Sequence, residues 1–286
     1  MDIKTLIALV DGSPYGQVVC QYAGWLAARA DARVKLYHVI ESTGATDHQD
    51  LSGALSLGAR SELLEVLAAL DAERAKLTQA HGRAILQDAA DLLATLHPDL
   101  PVETRLRQGH LVDTLAAKES SGDLIVIGKR GMQTAAAAAD LGHHFETLVR
   151  NSHKPVFVAN RSFAPIDRLA IAWDDSPMMD RALDMIHHNK AFAGVASDLV
   201  HAGPDTAAKR AAMETVAARL QQDRAPSDII INAGEPSDIL ATYARENAGA
   251  ALIMGAYGHS KLRRLIMGST TTQVIQSALA PVILLR

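Results

Sequence analysis

Cysteine is almost missing from this chain: Cys20 is the single one among 286 residues. No internal disulfide is available, and a zinc site built on cysteine thiolates is excluded. There is no excess of one charge. With 28 Lys and Arg against 32 Asp and Glu, the net charge is −4, which argues against bulk electrostatic capture of nucleic acid or of an anionic membrane. Long hydrophobic runs are missing too. The N-terminal stretch "MDIKTLIALVDGSP" ends its apolar segment at Asp11, too short for a signal sequence or a membrane span, and no other window approaches a spanning length. A soluble protein of a reducing, cytoplasmic setting fits. What is present is an ordinary globular composition, 48% hydrophobic and 21% charged, in a chain long enough for two domains.

The chain repeats itself. "LIALVDGSP" (6–14) and "LAIAWDDSP" (169–177) align Asp11 with Asp174 at an offset of 163 residues, and "LYHV" matches "LVHA" at the same offset. "DLIVIGKRG" (123–131) and "AALIMGAYG" (250–258) align at 127, and "KPVFVANR" and "APVILLR" at 126. Four matches in one order indicate a duplication, and the change of offset places an insertion in the first copy, at about 42–83.

Short runs rich in Val, Ile and Leu, bounded by Gly, Asp or Pro, predict strands near 4–10, 33–39, 102–107, 123–127 and 155–159. In the second copy they fall near 168–173, 196–201, 228–232, 250–254 and 281–285. Near-continuous hydrophobicity suits parallel strands covered on both faces. Ser13-Pro14, Ser176-Pro177 and Ser237 supply helix-start signals with the serine as cap. The fold class is therefore α/β, two doubly wound five-stranded parallel-sheet domains, 1–162 and 163–286. In the insertion, "SELLEVLAALDAERAKL" (61–77) has helical spacing at Leu63, Val66, Leu67 and Leu70. It reads either as an extra packing helix or as a lid or partner surface.

In an open parallel sheet small molecules bind beyond the carboxyl ends of the strands, where the strand order reverses; here that is between strands one and four of each domain. In the second copy Asp174 follows strand one and Gly255 ends strand four. Asp174 offers a carboxylate to ribose hydroxyls. Gly255 and Gly258 remove side chains where a loop turns sharply and backbone N–H groups face an anion. Gly268 then opens "STTTQVIQSAL", a helix start whose free N–H donors and dipole favour phosphate. Ser269 and Thr270 add hydroxyl donors. Lys261, Arg263 and Arg264 either add charge or form a solvated loop.

This Gly-x2-Gly-x9-Gly-Ser pattern, with an acid ending strand one, closely resembles the universal stress protein family, and the resemblance covers both halves. It implies an adenine nucleotide alpha hydrolase-like fold that binds ATP, with Mg2+ as a companion ion. By similarity Asp174 would hold the ribose and backbone at Ala202 the adenine, while Met254, Gly255, Gly258, Gly268, Ser269 and Thr270 would line the phosphate side. The resemblance also implies a regulatory role in stress tolerance, an unidentified protein partner, and pairing of the two terminal strands, "PVFVAN" and "PVILLR", within one chain. A homodimer is compatible with the sequence but no motif calls for it.

The first copy keeps Asp11, His38, Gly128 and Gly131, then departs. Ten residues rather than nine follow Gly131, and Gly142 precedes His143 and His144 where hydroxyls are expected. Asp140 would repel phosphate. The expectation is that this half binds ATP weakly or not at all. His143-His144 and His187-His188 read as surface histidines rather than metal ligands, because adjacent helical residues point apart. No nucleophile–base pair stands out, and "GDLIVIGKR" has one residue too many and Arg130 in place of the Walker Ser or Thr. A binding protein without a catalytic residue is expected. The alternatives are an adenylate-handling enzyme (slow ATPase or nucleotidyl transfer) and a nucleotide-free scaffold.

Overall fold

A run that is apolar at every position leaves neither face polar, so it becomes a strand covered on both sides. The computed structural model describes residues 2–41, 57–129, 145–174, 178–221, 227–256 and 269–285, and all ten expected strands form in it. They are β1 (Thr5–Leu9), β2 (Arg33–Ile40), β3 (Val102–Gln108), β4 (Leu124–Gly128) and β5 (Val156–Ala159). The second set is β6 (Arg168–Ala172), β7 (Ala196–Ala202), β8 (Ile229–Asn232), β9 (Ala250–Gly255) and β10 (Val282–Leu285). Helices α1 (Pro14–Ala30), α2 (Leu57–Leu96), α3 (Leu111–Ala116) and α4 (Phe145–Asn151) accompany the first set. The second carries α5 (Met178–His188), α6 (Ala207–Gln221), α7 (Pro236–Glu246) and α8 (Ser269–Ser277).

One sheet runs through both halves in the order β3-β2-β1-β4-β5-β10-β9-β6-β7-β8. Every pairing is parallel except the seam, where β10 meets β5 antiparallel with Ile283 opposite Phe157. The seam removes two exposed edges. It also turns the halves head to tail, so their carboxyl edges lie at opposite ends of the sheet.

Successive strand residues point to opposite faces, and the core divides accordingly. Leu6, Ala8, Leu124, Val126, Phe157, Ile253 and Ile283 join one apolar layer. Ile7, Ile125, Ile127, Val158, Leu252 and Leu284 join the other. Both layers cross the seam. There Tyr22 of α1 packs against Phe157 and Phe163, with ring centroids 5.0 and 4.9 Å away. Arg29, held over the Trp25 ring, donates to the carbonyls of Ala191 and Ala193 in the other half.

Cys20 is buried in the first layer, and burial pushes its thiol up to about 12. A thiolate is therefore scarce at neutral pH. Alkylation by iodoacetamide is expected only after denaturation; stoichiometric labelling of native protein would contradict this placement.

The helical part of the insertion is not a separate packing helix. It is the N-terminal part of α2, a single 40-residue helix. Gly82 lets the helix pass close to the sheet, since a Cβ there would lie 2.8 Å from Leu106 Cδ1 and 2.9 Å from His38 Cδ2. Before Gly82 the described side chains are nearly all exposed. Val66, Leu70 and Leu77 are 52%, 57% and 66% accessible, so of the two readings the packing helix fails over this stretch, because no element lies against these side chains among the described residues. Residues 42–56 lie outside the described part. Leu70→Gln and Leu77→Gln are each expected to change stability by less than about 0.5 kcal/mol in urea unfolding. A loss near 2 kcal/mol would mean that this face packs.

The expected serine caps also change. Ser13 stands at the N-cap of α1, buried, but its hydroxyl makes no capping bond. Its Oγ has no partner among the described residues. In α7 the N-cap is Glu235, and Ser237 is one position inside the helix and buried; Pro236 fixes the first helical residue and moves the cap back. Ser176 and Pro177 lie outside the described residues.

Candidate functional site

The strand order places the crevice as expected, between strands one and four of each half. In the second half β6 pairs with both β7 and β9 in parallel. The chain leaves β6 toward one side and returns in β9 on the other, which opens a gap above their carboxyl ends. Asp174, two residues beyond β6, is exposed on one side of that gap, and Gly255 ends β9 on the other. Ala202 ends β7, half-buried. The elements thus bring Asp174, Ala202 and Gly255 to a single edge of the sheet.

α8 completes the edge. Ser269 is its first residue and Thr270 its second, half-buried. Thr271 is buried, and its Oγ1 donates to the Gly255 carbonyl at 3.2 Å. That bond fixes the first turn of α8 against the end of β9. Sequence reasoning passed over Thr271, although it stands in the same hydroxyl run. Met254 behaves differently from its neighbours: its side chain is buried in the layer that holds Val274 and Leu284. Gly258 and Gly268 lie outside the described residues, as do Lys261, Arg263 and Arg264.

Two histidines hold the acids in place. His201 Nδ1 lies 3.0 Å from the Trp173 carbonyl, immediately before Asp174. His38 Nδ1 lies 2.8 Å from the Val10 carbonyl, immediately before Asp11. A carbonyl only accepts, so in each ring Nδ1 carries the proton and donates. The pair was visible in sequence as part of the repeat, but its role depended on knowing that strands one and two are neighbours.

The first-half edge carries Asp11 and Gly128 in matching places. Asp11 Oδ1 accepts from the Ser13 amide at 3.1 Å, and Gly12 takes the positive φ of 74° that the turn requires. At the place that Thr271 holds in α8, α4 carries the buried Phe145. Gly131, Asp140, Gly142, His143 and His144 lie outside the described residues.

A sequence profile of the universal stress protein family matches residues 2–160 and again 165–286. The chain belongs to the universal stress protein family. It carries the family unit twice. The universal stress protein Slr1230 of Synechocystis is 29% identical over 99% of this chain and the whole of its own length. Among solved structures, a universal stress protein of Archaeoglobus fulgidus superposes with a TM-score of 0.76 at 19% identity, covering 99% of this chain and 98% of the other. A second, from Pseudomonas aeruginosa, gives 0.61 at 15% identity, covering 99% and 93%. These likenesses establish the fold of this universal stress protein across both halves.

Among the described residues no helix is long and apolar enough to cross a membrane, and no three His, Cys, Asp or Glu side chains gather as a metal site. His188 bonds within its own helix, to Asp184.

Proposed function

We propose that this tandem universal stress protein binds ATP in its C-terminal half and acts as a nucleotide-dependent regulatory module. One observation carries the reading: the Thr271–Gly255 bond sets the first turn of α8 beside the end of β9, opposite Asp174. The donor set suits a nucleotide. A carboxylate accepts from ribose hydroxyls, while helix amides and the hydroxyls of Ser269 and Thr270 donate to phosphate. Gly258 and Gly268 extend that cradle by sequence, and Ala202 supplies backbone on the base side. Bound Mg2+ would contribute phosphate charge neutralisation.

This reading is one of binding and assigns no side chain to catalysis. The N-terminal half is a support rather than a second nucleotide site. The cellular role in this reading is regulatory, in stress tolerance, and is exerted through a protein partner.

The test is direct. Freshly purified protein is denatured and the supernatant resolved by ion-exchange chromatography; stripped protein is then titrated calorimetrically with ATP and Mg2+. About one equivalent of adenine nucleotide and a single ATP site per chain are expected. Two equal sites would refute the division of labour between the halves. Stoichiometric release of AMP or pyrophosphate during incubation would instead favour an adenylate-handling enzyme, and absence of any nucleotide and of ATP binding would favour a scaffold.

A further inference from the structure

Because the seam is antiparallel, the far end of α8 reaches the carboxyl edge of the other half. Lys129, the residue after Gly128, is only 9% exposed there. Its Nζ donates to the carbonyls of Gln276 at 2.9 Å and Ala278 at 3.2 Å. Asn160, which follows β5, donates its side-chain amide to the Leu279 carbonyl, and its Oδ1 accepts from Tyr22 at 3.0 Å. The C-terminal end of α8 and the two residues that follow it are thus held by two side chains of the N-terminal half. A buried ammonium is costly unless its donors are met, and a helix C-terminus is where a cation is favoured. Among the described residues no side chain of the second half holds the end of α4 in the same way. The position equivalent to Lys129 in the second copy is Ala256, which has no side chain to reach across.

We infer that Lys129 is a positioning residue for the phosphate cradle. It anchors the C-terminus of α8 from the N-terminal half and so fixes the amides and hydroxyls at Ser269–Thr271 in the place where phosphate meets them. α8 has nine residues and is about 13 Å long at 1.5 Å per residue, a rigid strut from one carboxyl edge to the other. Preorganised donors bind more tightly than donors that must be ordered by the ligand. Release of the far end lets the strut shift and fray, and that loss falls on the phosphates rather than on the base. The half that lost the phosphate motif thereby regulates the half that kept it. Anything that engages the backbone at Gly128 acts on Lys129 and, through α8, on nucleotide affinity.

This inference rests on the ATP reading above, and its test separates the two. Full-length wild type, Lys129→Met and Lys129→Arg are titrated with ATP–Mg2+ and with adenosine, and melting curves establish that each is folded. Lys129→Met is expected to weaken ATP about three- to tenfold with adenosine unchanged, and Lys129→Arg to restore most of the loss. Equal weakening of ATP and adenosine, or unchanged ATP affinity in folded Lys129→Met, overturns the inference while the ATP reading stands. Wild type that binds adenosine and ATP no differently, or neither, overturns both. If Lys129→Met does not fold, Asn160→Ala carries the same prediction at about two- to threefold, and no change in it is equally fatal.

Discussion

Asp198→Ala is expected to destabilise the protein by about 3 kcal/mol, toward the lower end of what breaking a buried ion pair costs. Asp198 is 1% exposed in β7. Its carboxylate accepts from Arg168 at 2.8 Å, from the Tyr243 hydroxyl, and from the Asp228 amide at 3.0 Å. One carboxylate thereby ties β6, α7 and the start of β8 together. Removing it leaves the Tyr243 hydroxyl and the Asp228 amide without their acceptor, while Arg168, a third exposed, rehydrates in part and moderates the cost. Asp198→Asn keeps the shape and one acceptor and should cost less. Urea unfolding at neutral pH measures both, and a loss below about 1 kcal/mol for the alanine variant would show that the network is dispensable.

The same network gives a pH dependence. Burial, and then the hydrogen bond to Asp198, raises the Tyr243 hydroxyl well above its ordinary value. The folded state therefore keeps the proton at a pH where an unfolded tyrosine, with a pKa of about 10, loses it. The resulting stability is full below that pH and declines as pH rises above it. Tyr22, also raised by burial, contributes in the same direction. Tyr243→Phe should flatten, without abolishing, the alkaline decline in unfolding free energy, and an unaltered slope would assign the decline to other groups.

How far the sequence foretold this molecule differs from element to element. The strands were legible because a parallel strand buried on both faces must be apolar throughout, and a run such as "AALIMG" permits little else. The crevice was legible because the repeat aligned Asp11 with Asp174 and Gly128 with Gly255, and winding order did the rest. α2 was harder. The apolar spacing marks a helix only over 61–77, whereas α2 runs on to Leu96 through Gly82, a residue that costs a helix roughly 1 kcal/mol relative to alanine. The fold tolerates it because His38 and Leu106 leave no room for a Cβ. The serine caps were legible in part: Ser13 takes the N-cap of α1 as expected but makes no capping bond, and Pro236 resets the start of α7 so that Glu235 is the cap. The Lys129–α8 bond could not be read at all: residues 129 and 276 are far apart in sequence, and only the antiparallel seam makes them neighbours.

Gly268→Val combined with Ser269→Ala is expected to lower ATP affinity at least about 100-fold, while Asp11→Ala changes it less than about twofold. A branched side chain at 268 keeps phosphate from the backbone that the cradle exposes, and alanine at 269 removes a hydroxyl donor at the first residue of α8. Each charge-assisted hydrogen bond lost costs about 1.5–3 kcal/mol, so two suffice for the expected fall. Asp11 lies at the opposite end of the sheet, in the half whose sequence lacks the hydroxyl run, and its Oδ1 already accepts the Ser13 amide. Asp174→Ala, which keeps the cradle but removes the ribose acceptor, should fall between the two, about tenfold. Calorimetric titration with ATP–Mg2+ ranks the three variants. Loss of affinity in Asp11→Ala equal to that in the double variant would mean that both halves bind. Full affinity in the double variant would mean that the nucleotide, if any, sits elsewhere than at the start of α8.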